Sequence, residues 1–325
     1  MEKVEFSLID WSPFGAAPIP YEEITRLSTT APNLIAWAVP VMLLLTAVEM
    51  GVSRWHDHGH YETHETIGST LVGIGNLLIS AAIKVAMIYF LVAVYNAVPW
   101  RMEFRWWTLI PCYILYDLCS YWAHRISHES RFFWATHVVH HTAEHYNLTV
   151  SYRLSWIQYI KIFFFVPVML VGFHPIIFFV TNQLATLFQF LQHTEYIRRL
   201  HPWLEYLFAT PSNHRVHHGS QAQYIDKNYG ATFIFWDRLF GTYEPEDEAV
   251  IYGITTNIDH KANPLHINFH ELKDMIKDVR RANGLRQKWF FMFGSPVRIM
   301  NLKKERELIS IIPANSDTHY PDKAA

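Results

Sequence analysis

The sequence predicts an all-α fold, a polytopic membrane helical bundle with a histidine-rich helical region on its cytoplasmic side. Half of the 325 residues are apolar and only 17% are charged, whereas roughly a quarter of the residues in a soluble domain carry a charge. Several apolar runs are also long enough for the bilayer core, which takes about 20 helical residues. The net charge of −2 leaves no basic stripe to neutralise phosphates, which argues against a nucleic-acid partner.

Five apolar runs are predicted to be helices that cross the membrane. They are residues 33–50, 68–98, 106–123, 156–172 and 174–192. The sequence Gly172-Phe173-His174-Pro175 ends one helix and begins the next, so the last two runs form a hairpin with almost no loop. Buried helices of a soluble bundle are the alternative, but several runs of this length are difficult to bury in water.

The number of crossings predicts which parts of the chain share a compartment. Five crossings place the loop 52–67, the segment 124–155 and everything after His193 on one side. That side is rich in arginine, whereas the opposite side has only Arg101 and Arg105 in its one appreciable loop. Because cytoplasmic loops carry the excess of basic residues, we expect the histidine-rich side to be cytoplasmic.

The character of the chain changes after Phe240. Residues 264–282 place apolar residues on a helical spacing between charged ones, at Leu265, Phe269, Leu272, Met275, Ile276 and Val279. This pattern predicts an amphipathic helix, which we expect to pack against the histidine-rich region rather than bind a partner. We therefore divide the chain into an N-terminal segment (1–32), a membrane-embedded domain (33–243) and a soluble C-terminal extension (244–325) with a disordered tail from Asn315.

One unusual histidine pattern occurs twice, and a shorter one precedes it. The patterns are His124-x-x-x-His128, His137-x-x-His140-His141 and His214-x-x-His217-His218. Residues three and four apart share one face of a helix, so each pattern directs its imidazoles to one point. Neutral imidazole suits iron, zinc and copper, and eight imidazoles exceed the four positions of a tetrahedral zinc ion. Two metal ions in one cluster is the simplest hypothesis.

Chance spacings have to be considered, because the chain has 20 histidines. HxxxH alone is weak evidence, since His56/His60 and His266/His270 also satisfy it. The group His56, His58, His60 and His64 is polar in context and is predicted to be solvated. No glutamate stands three residues before any histidine, and HExxH is absent. The pattern therefore disfavours carboxylate-rich di-iron sites and metalloproteases; it favours iron and O2, although zinc stays open.

The order HxxxH, HxxHH, HxxHH between apolar hairpins resembles the fatty acid hydroxylase and sterol desaturase superfamily of integral membrane di-iron enzymes. Within it, the chain is most similar to the alkylglycerol monooxygenase family. The similar blocks are residues 116–129, 140–148, 193–195, 210–219, 226–230, 236–243 and 251–253. The resemblance covers residues 65–256, and the chain departs from that family at its C-terminus, where animal members have further spans.

The resemblance implies a membrane monooxygenase that hydroxylates a lipid C–H bond with two iron ions, O2 and an electron donor. Cleavage of alkylglycerol ethers to fatty aldehyde and glycerol is the specific reaction implied. The implied iron ligands are His124, His128, His137, His140, His141, His193, His214, His217 and His218. Glu144, three residues after His141, is the candidate catalytic and cofactor-binding residue, for tetrahydrobiopterin or the metal shell. An ordinary salt bridge with an arginine is the alternative for Glu144.

Other readings stay open at this point. A sterol or carotenoid hydroxylase or desaturase of the same superfamily would take electrons from a ferredoxin or a cytochrome. A non-enzymatic metal-handling membrane protein is a different class, but transporters place ionisable residues within spans, whereas these histidines lie beyond the span ends. A zinc-dependent lipid hydrolase is the remaining alternative. Ligating imidazoles usually donate their second N–H to a carboxylate or carbonyl, and Asp117, Glu129, Glu144 and Asp237 are the carboxylate candidates.

Overall fold

The computed structural model describes residues 14–311, and over that range the chain is helical, with isolated β-bridges and no strand. The tail from Asn315 lies outside the described residues. The α-helices are α1 (Ile24–Thr30), α2 (Leu34–Trp55), α3 (Thr63–Ala97), α4 (Leu109–Glu129), α5 (Arg131–Trp134), α6 (Val138–His141), α7 (Val166–Leu170), α8 (Pro175–Gln192), α9 (Pro202–Leu207), α10 (Pro211–His217), α11 (Phe235–Phe240), α12 (Pro264–Arg281), α13 (Gly284–Phe293) and α14 (Pro296–Ile311). Short 3-10 helices precede or join them at Tyr21–Glu23, Trp106–Thr108, Leu148–Tyr152 and Gln158–Phe165.

Two segments of the described chain are long and apolar enough to cross a membrane. They are Tyr21–Trp55, which contains α1 and α2, and α3. Side-chain caps define where both long helices begin: Asn33 accepts a hydrogen bond from the Ala36 backbone N–H, and Glu62 accepts one from the Glu65 N–H. Such caps satisfy N–H groups that have no partner within the helix. The number of crossings beyond these two segments stays a prediction.

The run 156–172 forms a shorter helical segment than the sequence predicts. It consists of the 3-10 helix Gln158–Phe165 followed by α7, which carries Pro167 in its first turn. A 3-10 helix is rarely this long, because its hydrogen bonds are poorly aligned. Gln158–Leu170 is therefore shorter than the span that the bilayer core requires. The predicted stop and restart occurs where expected, with Gly172 at a φ of +95° and α8 starting at Pro175.

The turns at the two ends of the bundle are distinguishable by their contacts. At one end, the backbone N–H of Met102 donates to the Gly172 carbonyl, and the Gly15 N–H donates to the Arg101 carbonyl. The histidine-rich region lies at the opposite end of the bundle. There Glu65, near the start of α3, accepts hydrogen bonds from the backbone N–H groups of residues 144 and 145. The loop before α4 and the turn before α8 thus lie at one end, and the segments that follow α2, α4 and α8 meet at the other, where Asn147 contacts the His60 carbonyl and His193 lies beside His140.

A buried core fixes α4 against its neighbours. Cys112, Tyr116 and Cys119 of α4 pack with Ile177 and Phe178 of α8 in one apolar cluster that also includes residues of α3 and α7. Both cysteines are free and buried. Because α4 is held along its length, its C-terminal turns project beyond this core in a fixed direction, and these turns carry the first histidine pair.

The C-terminal extension packs against the histidine-rich region, as predicted. Ile267 of α12 shares a buried apolar cluster with Val72 of α3 and with Val139, which lies between His137 and His140, and a Cβ on Gly68 would lie 2.0 Å from the Lys261 carbonyl. The predicted apolar face is only partly correct. Met275 is buried, but Leu265 and Ile276 are exposed, because the helix is rotated so that Ile267 faces the core.

Candidate metal centre

Four chain segments deliver the nine predicted ligands to one place. His124 and His128 lie one turn apart on α4, His137 precedes α6, and His193 is the C-terminal cap of α8. The helix α10 begins at Pro211, and the Thr210 side chain accepts a hydrogen bond from the Asn213 N–H. Proline is preorganised for the first turn of a helix and lacks the N–H that would be unsatisfied there. This start sets the orientation of the last histidine triplet.

The imidazoles form two adjacent groups. In each group the ligand atoms lie within 4.8 Å of one another. The first group is His124, His128, His137, His141 and His217, and the second is His140, His193, His214 and His218. Each HxxHH triplet divides its members between the two groups. The groups touch through the rings of His141 and His218, whose centroids are 4.4 Å apart.

Hydrogen bonds at Nδ1 determine which nitrogens face the centre. Nδ1 of His124 lies 2.8 Å from the Tyr229 carbonyl, and Nδ1 of His217 lies 2.9 Å from the Lys227 carbonyl. A carbonyl cannot donate, so both Nδ1 atoms carry the proton and both Nε2 atoms present lone pairs. These two Nε2 atoms are buried without a hydrogen-bond partner among the described residues. Unpartnered buried polar atoms are unfavourable, and a metal ion would satisfy them.

The second group shows the same crowding. Nδ1 of His193 lies 2.8 Å from the Gln189 carbonyl, so its Nε2 also presents a lone pair. That Nε2 is 3.1 Å from Nε2 of His140 and 3.1 Å from Nε2 of His214. One lone pair cannot satisfy two such neighbours well. A cation between the nitrogens would, so the donor set of this group also fits a metal ion.

Burial keeps these imidazoles in the form that binds metal. Desolvation lowers the pKa of every one of the nine, and it lowers the pKa of His193 to about 4. Neighbouring histidines lower several of these pKa values further, because a second positive charge nearby is unfavourable. The cluster is therefore neutral at physiological pH, and neutral imidazole is the ligating form.

A buried turn around Tyr229 orients His124 of the first group. Asp237 accepts hydrogen bonds from the backbone N–H groups of Tyr229 and Gly230, at 2.7 Å each, and from the Thr242 hydroxyl. The Tyr229 carbonyl in turn accepts the Nδ1–H of His124. Asp237 thus orients a ligand through the backbone, without touching an imidazole.

The carboxylates expected to accept imidazole N–H groups have other partners. Asp117 accepts from the backbone N–H groups of residues 232 and 233, and Glu129 pairs with Arg125 at 2.8 Å. Glu144 pairs with Lys261 at 2.6 Å, so the salt-bridge alternative is realised, with a lysine as the partner. Backbone carbonyls and Asp226, 3.5 Å from Nδ1 of His128, take the places expected for these carboxylates.

The remaining histidines fall outside both groups. His58 lies near the Tyr196 hydroxyl, and His64 pairs with Glu62; both are exposed, as predicted for that loop. His145 pairs with Glu65. Spacing alone would have included several of these residues, and the folded chain separates them from the cluster.

A cavity of about 400 Å³ adjoins the first group. His128, His141 and His217 line it together with His270 and Asp274 of α12. Ligand sites usually have volumes of about 300–1,000 Å³. The C-terminal extension therefore closes a space of small-molecule size beside the imidazoles.

Lys161 is the functional candidate that the sequence interpretation missed. It lies in the apolar stretch QYIKIFFF of the 3-10 helix Gln158–Phe165. Burial is the main cause of the lowered pKa of His137, and the positive charge of Lys161 is the next cause. The signal was available, since a lysine within a predicted span is a candidate functional residue in its own right.

Comparison with known proteins agrees with this geometry. The fatty acid hydroxylase family matches residues 109–242, a range that contains all nine histidines. Alkylglycerol monooxygenase of Caenorhabditis elegans is 33% identical over 80% of this chain and 54% of its own length. The human alkylglycerol monooxygenase is 37% identical over 61% of this chain and 43% of its own length.

Two further relatives are named as hydroxylases of other lipids. Ornithine lipid hydroxylase of Rhizobium tropici is 26% identical over 61% of this chain and 62% of its own length. A cholesterol 25-hydroxylase-like protein of Danio rerio is 30% identical over 42% of this chain. The chain spans about half the length of the alkylglycerol monooxygenases that it matches. No solved structure matches it.

Proposed function

We propose that this chain, which contains a fatty acid hydroxylase domain over residues 109–242, is a membrane di-iron monooxygenase that hydroxylates a lipid C–H bond. The observation that carries the proposal is the pair of adjacent imidazole groups, each with ligand atoms within 4.8 Å of one another. Nine imidazoles are too many for one ion, and their division into five and four matches two ions. A transport role does not require such a closed cluster.

The donor set favours iron over zinc in the context of this domain. Imidazole itself accommodates both metals, but the related proteins are named as monooxygenases and hydroxylases. Iron bound there would supply the redox chemistry, in which one oxygen atom of O2 enters the C–H bond and the other leaves as water. Two electrons and two protons complete the balance and come from an external donor.

The residues of this chain prepare the site for that chemistry. The Nδ1–H groups of His124, His193 and His217 donate to backbone carbonyls, which fixes each ring and leaves Nε2 free to bind. Second N–H hydrogen bonds of this kind typically change metal affinity about 10–100-fold. Burial of the cluster excludes water, so that oxidation is directed to the substrate.

The substrate that we propose is an ether lipid of the alkylglycerol class. Hydroxylation of the carbon next to the ether oxygen gives a hemiacetal, which collapses to a fatty aldehyde and glycerol or its derivative. The identities of 33–37% to alkylglycerol monooxygenases support this choice. A sterol substrate is the second candidate, and the similarity to a cholesterol 25-hydroxylase-like protein supports it.

We propose that the electron donor is tetrahydrobiopterin and that Glu144 contacts it. The carboxylate of Glu144 is partly exposed and pairs with Lys261. A Cβ added to Gly253, which lines the cavity, would lie 3.0 Å from the Glu144 Cγ. The cavity gives a soluble donor access to the first imidazole group. A ferredoxin or a cytochrome is the alternative donor for the sterol reaction.

We further propose a multi-pass topology with the metal centre on the cytoplasmic side. Residues 33–243 would form the membrane-embedded catalytic domain, with 1–32 as an N-terminal segment and 244–325 as a soluble extension. The contact of Met102 with Gly172 supports this topology, because it brings the turn before α8 to the same end of the bundle as the loop before α4.

Two measurements test the proposal, one on the purified protein and one on membranes that contain it. Iron content should approach two ions per chain after expression with sufficient iron. Membranes supplied with tetrahydrobiopterin, ¹⁸O2 and a 1-O-alkylglycerol should release fatty aldehyde, whose carbonyl should contain ¹⁸O when it is trapped before exchange with water. Oxidation of a sterol with a ferredoxin system instead would replace the substrate but retain the monooxygenase. The absence of any O2-dependent product from iron-loaded protein would refute the function.

A further inference from the structure

The second half of α12 carries a groove that is lined by basic side chains. Lys273, Lys277 and Arg280 follow the spacing i, i+4, i+7 and therefore share one face of the helix. This face borders a surface cavity of about 370 Å³, which is lined by Lys273, Ile276, Lys277, Arg280 and Arg281. We call this cavity the basic groove, since four of its five lining residues are positively charged.

The acidic residues of α12 do not neutralise the basic groove. Glu271 and Asp278 pair with Arg131 at 2.6 and 2.7 Å, and Asp278 also pairs with Lys303. Asp274 lines the cavity beside the imidazoles. Within the described part of the chain, no basic residue of the groove forms an ion pair. The groove therefore presents uncompensated positive charge.

The next helix adds apolar side chains beside this charge. Leu285 and Trp289 lie one turn apart on α13, and they are 85% and 69% exposed. Arg286 and Lys288 lie next to them in the chain and are also exposed. The helices α12 and α13 pack against each other. Basic side chains together with exposed leucine and tryptophan are typical of helices that lie in a membrane interface.

Aromatic contacts connect α13 to an apolar run of the proposed membrane domain. The ring-centroid distances are 4.5 Å for Trp289 and Phe293, 5.6 Å for Phe293 and Phe132, 5.2 Å for Phe132 and Phe133, and 5.2 Å for Phe133 and Phe164. Phe164 belongs to the apolar 3-10 helix Gln158–Phe165, in which Phe163 is exposed. The exposed residues of α13 are therefore continuous with apolar surface that a membrane would cover.

We propose that the basic groove of α12 and the apolar residues of α13 dock the C-terminal extension on anionic phospholipids of the cytoplasmic leaflet. This inference rests on the proposed topology, which puts the extension on the side where the membrane surface is negative. Lipid phosphates compensate the charges of the groove, and Leu285 and Trp289 insert among the headgroups. Because α12 also lines the cavity beside the imidazoles, docking holds that helix at the membrane surface.

A fluorophore on α13 tests the inference. The full chain, labelled at Leu285→Cys, is placed in nanodiscs of phosphatidylcholine alone or mixed with phosphatidylserine. Cys112 and Cys119 are buried, so the engineered thiol takes the label. A nitroxide-bearing phosphatidylcholine in both nanodiscs quenches a fluorophore that contacts lipid. We expect strong quenching with phosphatidylserine and weak quenching without it. High ionic strength should reverse the difference, because salt screens exposed charges.

Two triple variants separate the charge of the groove from its shape. Lys277→Gln with Arg280→Gln and Arg281→Gln removes three charges, whereas Lys277→Arg with Arg280→Lys and Arg281→Lys retains them. A basic residue near an anionic surface favours association about fivefold, so the glutamine variant should lower the ratio of docked to undocked label by more than about tenfold. The charge-retaining variant should leave this ratio unchanged. A label on Asp247→Cys, a largely exposed position, should remain unquenched throughout.

This readout does not depend on turnover, which separates the inference from the proposed function. A quenched label on protein that oxidises no lipid supports docking and contradicts only the oxygenase. An unquenched label in both nanodiscs, on protein that binds iron, would overturn the inference and favour a soluble acidic partner for the groove. Equal quenching with and without phosphatidylserine, or in the two triple variants, would also overturn it, because insertion would then not require the basic residues.

Discussion

His140 occupies a central position among the imidazoles of the second group. Its Nε2 lies 3.1 Å from Nε2 of His193 and 3.1 Å from Nε2 of His218. We expect His140→Ala to lower the iron content and to reduce O2-dependent turnover by more than about 100-fold, beyond the 10–100-fold of an outer hydrogen bond. The measurements are metal analysis and product formation. His201→Ala, an exposed histidine outside both groups, should change neither; full iron and activity in His140→Ala would remove it from the ligands.

Glu144 can be tested against its own ion-pair partner. Glu144→Gln and Lys261→Met both break the 2.6 Å pair, and Lys261→Met also removes the 3.1 Å contact of Lys261 with Glu65, but only Glu144→Gln changes the carboxylate of residue 144. If Glu144 serves the pterin, Glu144→Gln should raise the KM for tetrahydrobiopterin several-fold at constant iron content, and Lys261→Met should not. Equal effects in both variants would show that the ion pair, and not a contact of the carboxylate with the pterin, determines the KM.

At the level of single residues, the sequence predicted the imidazoles better than their partners. HxxHH spacing identifies the ligands because three- and four-residue steps share a helical face. The carbonyls of Tyr229 and Lys227 receive the Nδ1–H groups of His124 and His217, and Tyr229 is 105 residues after His124, so no spacing rule predicts this contact. Every residue has a carbonyl, so the sequence does not distinguish these two. Lys161 has a sequence signal of its own, because it is a charged residue within the apolar run 156–172.

Among the structural elements, the buried turn near Asp237 invites a direct test. Asp237 accepts two backbone hydrogen bonds and one from Thr242. Asp237→Asn turns an N–H donor toward one of these donors, which should cost about 1–3 kcal/mol of stability. The shifted Tyr229 carbonyl should also weaken iron binding about 10–100-fold. Thermal unfolding and iron titration measure the two effects.

The control for this turn is Asp247→Asn, because Asp247 is largely exposed and pairs with Arg199, not with an imidazole of the cluster. It should alter neither quantity. A less stable Asp237→Asn variant that binds iron normally would mean that the turn supports folding without orienting His124.

Helices were predicted most accurately where strong local signals coincide. Long apolar runs predicted α2 and α3, and Gly172 with Pro175 predicted the break before α8. The run 156–172 was wrong as a full-length helix, because apolar content does not distinguish a 3-10 helix from an α-helix. The face of α12 was only partly correct, since its rotation depends on the close approach of Lys261 to Gly68, which only the folded structure reveals.

For the whole molecule, the arrangement of helix ends leads to a prediction about topology. The loop before α4 and the turn before α8 contact each other through Met102 and Gly172, whereas the imidazoles lie at the other ends of α4 and α8. Five crossings require these two connections to face one compartment and the region after His193 to face the other. Because Cys112 and Cys119 are buried, single engineered cysteines can report accessibility without removing the native ones.

We expect Glu103→Cys and Val171→Cys to react with a membrane-impermeant maleimide from the non-cytoplasmic side, and Asp247→Cys from the cytoplasmic side. All three positions are exposed. If Val171→Cys is unreactive from both sides while the other two react from opposite sides, α7 and α8 penetrate only one leaflet and three crossings remain. Labelling of Glu103→Cys and Asp247→Cys from the same side would contradict both arrangements, because α4 must then return to the side on which it begins.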